Sequence, residues 1–144
     1  MELDTLIDRV RGLDGPDREV DALVDATLRI GGKGMREKAP WAWKNFPVWH
    51  PSKQRGMCEV AHSDGTGGLC WSSHPFTSSI DAVVALIERE LPEGCWRVDD
   101  DCNNERTYAV ATVGTHRAAE VDAVYGETAP LALLLAFLTA MKEK

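Results

Sequence analysis

The sequence predicts an α+β fold in a single domain, residues 1–144. Three observations carry this. Four segments repeat apolar residues at helical spacing, several short segments alternate apolar with polar residues or favour β structure, and clusters of Gly, Pro, Asn and Asp separate them.

Leu3, Leu6, Ile7 and Val10 predict a short amphipathic helix over 2–11, stopped by Gly12. A second helix is expected after Asp14-Gly15-Pro16, with Pro16 in its first turn, a stripe of Val20, Leu23, Val24, Thr27 and Leu28, and Gly31-Gly32 as its end. These two helices make up residues 1–30. Residues 31–55 lose all periodicity and read as a long ordered loop, rich in Gly, Pro and Trp. The stretches 56–62 and 69–73 flank SDGTGG and predict a hairpin within 56–73.

Residues 78–144 then read as helix, three strands and helix. Ser78 is expected to cap the first of these helices with Asp81 as the acid of a capping box, and Ile80, Val83, Val84, Ile87 and Leu91 form its buried stripe before Pro92 ends it. The strands are Cys95 to Asp99, Arg106 to Val113 and Ala118 to Tyr125, joined by DDCNNE and GTHR. In the last, Val121, Ala123 and Tyr125 are expected to face the core and Glu120 and Asp122 the water, as in a half-solvated antiparallel sheet. A final helix over 129–142, capped by Thr128 and tolerating Pro130 in its first turn, is apolar on nearly every side and so should be central.

Charge narrows the function classes. A net charge of −7 opposes tight binding to long nucleic acids, because each phosphate contact needs Lys or Arg. The apolar run 131–141 is far shorter than the roughly 20 residues a membrane crossing needs, and MELDTLIDRV lacks the pattern of a leader peptide. A cytoplasmic protein with no membrane partner is the expectation, its four cysteines (Cys58, Cys70, Cys95, Cys102) held as free thiols.

Cys58 with His62 and Cys70 with His74 repeat a Cys-x3-His spacing that invites a zinc reading. On a helix each pair would share a face. On a strand the two Cα atoms of a pair stand roughly 13 Å apart at about 3.3 Å per residue, too far for one ion. The glycines around the segment and Pro75 after His74 favour strands, so no metal or other cofactor is expected and the four residues remain the weaker alternative.

The segment GGKGMREKAPWAWKNFPVWHPSKQR (31–55) is the most informative stretch. Six cationic side chains against Glu37 give it a net +5 on an acidic protein, and it holds three of the five tryptophans. Aromatic faces stack on bases and cations bind phosphates, so Lys33, Arg36, Trp41, Trp43, Lys44 and Trp49 are the candidate ligand-binding residues for a small anionic ligand such as a nucleotide. The competing reading has the tryptophans pinning the loop to the core. GGKG follows a helix and does not match a phosphate loop, Asp99-Asp100-Asp101 reads as a solvated turn, and no catalytic constellation emerges.

GPDREVDALV (15–24), PFTSSIDAVVALIERELP (75–92) and GETAPLALLLAFLTAM (126–141) resemble, in this order, the signature stretches of the phage α/β/α-sandwich domain family, small proteins of phages and prophages. The resemblance implies an antiparallel sheet with helices on both faces, which agrees with the C-terminal α-β-β-β-α unit read from the residue pattern. It implies no catalytic residues. The expected function is therefore a non-enzymatic phage accessory protein that sequesters a small anionic ligand, such as a nucleotide signal of host defence, with a homo-oligomer interface as one place for its site. The alternatives are a module that docks a host or phage protein through the tryptophans, and, less favoured, a small hydrolase.

Overall fold

A computed structural model of the chain describes residues 2–31, 48–52, 56–61, 69–101, 106–111 and 123–143. Among these the chain is mixed α+β, with four helices and two three-stranded antiparallel sheets. It divides into two compact units.

The first unit, Met1–Glu2 with Asp17–Pro75, contains helix α1 (Arg18–Leu28) and strands β1 (Val48–Pro51), β2 (Met57–Ala61) and β3 (Leu69–Ser72). Asp17 starts the helix by accepting the amides of Glu19 and Val20, so Pro16 stands before the cap rather than in the first turn. The expected hairpin is present as β2 and β3, with Cys58 opposite Trp71 and Glu59 opposite Cys70. The expected loop 31–55 is corrected at its end. Val48–Pro51 pairs antiparallel with β2, which gives the backbone groups on that side partners in a ladder. The helix packs on β1 and β2.

The second unit, Leu3–Pro16 with Phe76–Lys144, contains α2 (Leu3–Arg11), α3 (Ile80–Glu90), β4 (Trp96–Asp101), β5 (Arg106–Ala111), β6 (Val124–Gly126) and α4 (Ala129–Lys142). Helix α4 packs on all three strands of the sheet β4-β5-β6 and also on α2 and α3. Burial from several sides is why nine of its residues, among them Leu133, Leu134, Phe137 and Leu138, are buried and why its apolar residues surround it. Thr128 caps it as expected, accepting the Leu131 amide. Lys142 in its last turn pairs with Asp4 of α2.

Three expectations for this unit are corrected. The cap of α3 is Ser79, whose hydroxyl accepts the Ala82 amide, so Asp81 lies one residue too early to close a capping box. Asp99, Asp100 and Asp101 belong to β4 instead of a turn, paired with Tyr108, Thr107 and Arg106. Tyr125, expected in the core, is 43% exposed. Its neighbour explains the reversal: a Cβ on Gly126 would lie 2.5 Å from the Ala132 amide nitrogen, so Gly126 faces the backbone of α4 and the pleat turns Tyr125 to the other face. The expected residues of that strand at 118–122 lie outside the described residues. Among the described residues no helix is long and apolar enough to cross a membrane.

Candidate functional site

Of the candidate ligand-binding residues, Lys33, Arg36, Trp41, Trp43 and Lys44 lie outside the described residues, and Trp49 is placed by backbone register in β1, opposite Val60. What the structure does describe is the framework on which this segment starts and ends. It is built around a polar cluster that the sequence reading missed.

Helix α1 was expected to bury Val20, Leu23, Val24, Thr27 and Leu28. Of these it buries Val20 and Val24, and with them Ala22, Asp21 and Asp25, both aspartates fully, while Leu23, Thr27 and Leu28 are half-buried. A buried carboxylate is tolerated only with donors to meet it. For Asp21 the donor is Arg18, three residues earlier on the same helix, whose Nη1 lies 2.7 Å from Oδ2. The other end of the guanidinium reaches the sheet: Nη2 donates to the carbonyls of Gly56 (3.2 Å) and Ser73 (2.9 Å) and to Oγ of Ser72 (3.3 Å). Gly56 has a φ of +77°, which favours glycine, and a Cβ there would lie 2.5 Å from Arg18 Nε and displace the guanidinium. The Ser73 hydroxyl is buried with no hydrogen-bond partner among the described residues.

Asp25 is the second centre. Its Oδ2 accepts from the indole Nε1 of Trp71 at 3.0 Å, and its Oδ1 accepts from the Gly31 amide at 2.9 Å. Its backbone carbonyl also receives the amides of Arg29 and, at 3.0 Å, Ile30. One residue therefore holds three successive amides at the end of α1, with Arg29 in the left-handed conformation that closes the helix (φ 53°). The basic segment departs from this point. It returns at Val48, where β1 enters the ladder beside β2.

Cys58 is fully buried, and register places it across from Trp71. Burial first, and then the charge of Asp25, push its thiol well above the ordinary range, so it stays protonated and a poor nucleophile. Cys70 pairs with Glu59 one position along, on the opposite face of the sheet, and is exposed. The two cysteines of the zinc reading are thus separated by the pleat. His74 stands two residues beyond the end of β3, and His62 lies outside the described residues. Among the described residues no three of His, Cys, Asp and Glu gather where an ion would sit.

The chemistry of the cluster is that of a holding device: its carboxylates are met by donors, and its thiol is protonated. The signal for it was in the sequence. Arg18, Asp21 and Asp25 recur at helical spacing beside Val20 and Val24, which is a charged triplet on an apolar face. Charge is also divided between the units. The first has eight cationic and eight acidic side chains, and the second eight and fifteen, so the second accounts for the whole net charge of −7.

No family model, no curated protein and no solved structure matches the chain.

Proposed function

We propose that the chain is a non-enzymatic phage accessory protein that binds and sequesters a small anionic ligand, a nucleotide signal of host defence being the leading class. Lys33, Arg36 and Lys44 would neutralise phosphate, and Trp41, Trp43 and Trp49 would stack on the base. The supporting observation is the net +5 of residues 31–55 in a unit that is otherwise acidic, on a framework that fixes the departure of the segment through Asp25 and its return through β1. An anchored segment loses less conformational freedom on binding than a free one. The α/β/α-sandwich arrangement of the phage family belongs to the same proposal, and the α3-β4-β5-β6-α4 order of the second unit supports it.

The test is thermal shift and calorimetry of the full chain against cyclic nucleotides and ADP-ribose. Binding that weakens at least tenfold in a Lys33→Ala, Arg36→Ala, Lys44→Ala triple variant supports the proposal. Absence of any shift or heat across the panel ends it, and a specific host protein retained on the immobilised chain would then favour the docking module.

A further inference from the structure

We infer that a cleft at the start of α4, within the second unit, is a binding site for a small primary alkylammonium cation, independent of the nucleotide reading of residues 31–55. The cleft has a volume of about 230 Å³ and is lined by Val98, Asp99 and Asp100 of β4, Thr107 of β5 and Ala129 of α4. Register sets Asp100 opposite Thr107 and Thr107 opposite Gly126, so one row across the sheet ends in a carboxylate. Residues directly opposite in an antiparallel pair stand about 5 Å apart at Cβ, close enough for one ligand nitrogen to meet both.

Two polar groups of the cleft are unused. Thr107 is only 8% exposed, yet its hydroxyl has no hydrogen-bond partner among the described residues. A hydroxyl so placed costs free energy unless something bonds it, and valine would fill the same β position without it. Asp100 is exposed, and its carboxylate likewise has no partner among the described residues. That of Asp99 is occupied, by the Asp100 amide at 2.9 Å and the Tyr108 hydroxyl at 3.4 Å. The start of a helix ordinarily attracts anions, but α4 has few amides to offer: Pro130 has none, Leu131 donates to the Thr128 hydroxyl and Ala132 to the Thr128 carbonyl. The cleft therefore presents two acceptors, Asp100 and Thr107, to a charged group with several N–H donors, and Val98 and Ala129 to an alkyl body. The net −7 of this unit draws cations toward it. A divalent metal fits less well, because it takes about six oxygens and no three of His, Cys, Asp and Glu gather among the described residues.

The probe is n-butylammonium chloride, titrated into the full chain while the amide resonances of Asp100 and Thr107 are followed by NMR, with n-butanol as the neutral isostere. Saturable shifts with the amine and none with the alcohol are expected. Asp100→Asn should weaken binding about tenfold or more, the loss of one charge-assisted hydrogen bond. Thr107→Val should weaken it about threefold or more. The same variant should keep or raise the melting temperature of the free protein, because it removes an unbonded hydroxyl from a buried position. Glu93→Gln is the control: it deletes one exposed charge of the same unit outside the cleft and should leave the affinity within about twofold.

An ammonium site is ruled out if the amine gives no saturable shift, or if n-butanol moves the same resonances equally. It is also ruled out if either Asp100→Asn or Thr107→Val binds as the parent does, or if Glu93→Gln weakens binding as much as Asp100→Asn, which would reduce the effect to the general field of the unit. Calcium chloride that saturates the same resonances and displaces the amine would assign the cleft to a divalent ion instead. Each of these results leaves the test of nucleotide binding at residues 31–55 untouched.

Discussion

The two units bury a helix in different ways. Helix α4 is enclosed by a sheet and two helices and buries only apolar residues, its ion pair to α2, Lys142 with Asp4, lying in the last turn. Helix α1 packs on a single small sheet and buries two aspartates, held by Arg18 and by Trp71. Apolar burial is non-directional and tolerates repacking, whereas a buried carboxylate holds specific donors at specific distances. The second unit is thus stabilised by area. The first is specified by polar geometry, at the place from which the basic segment departs.

The sharpest way to break the comparison is to delete one group from each core. Leu134→Ala in α4 should cost about 3 kcal/mol as a cavity, seen as a lower urea midpoint. Arg18→Met should cost about as much, because the buried Asp21 loses the guanidinium 2.7 Å from its carboxylate, yet Arg18→Met with Asp21→Leu should recover most of that loss. If the double variant is as unstable as the single one, the ion pair is not what constrains this helix.

Gly126→Ala comes next. Its Cβ would meet backbone rather than a movable side chain, so a loss of roughly 2 kcal/mol is expected in the second unit.

A smaller effect sharpens the polar side of the comparison. The Cys58 thiol is raised in the folded state by burial and by Asp25, so above about pH 9 the unfolded chain releases its proton while the folded chain keeps it. Stability should be unaffected by this thiol below that pH and should fall above it by about 1.4 kcal/mol per pH unit at most, a slope that Cys58→Ala removes in pH-dependent urea titrations. The exposed Cys70 and Cys95 should react with a thiol reagent in the native protein while Cys58 does not. The smallest effect is Arg29→Gly, which relieves a left-handed residue at the end of α1 and should add about 0.5–1 kcal/mol.

Legibility followed the same division. The final helix and its Thr128 cap, the hairpin 57–72 and the strands starting near Trp96 and Arg106 were readable, because local periodicity and turn residues decide them. The stripe of α1 was read from apolar residues alone, which found Val20 and Val24 but not the buried Asp21 and Asp25, because a carboxylate is buried only where it has partners. Their partners are local in one case, Arg18, and 46 residues away in the other, Trp71. Cys58 and Cys70 looked alike in spacing and were separated by strand register.

The sequence by itself determined an α+β chain, most of its helices and hairpins, the acidic balance of −7 and the basic tryptophan-rich segment, since propensity, periodicity and charge act over a few neighbouring residues. Only the tertiary structure decided that the strands form two separate sheets, that Tyr125 faces outward, and that Asp25 joins the end of α1 to β3. Those outcomes depend on which distant donor or backbone comes within about 3 Å, and no local pattern encodes that distance.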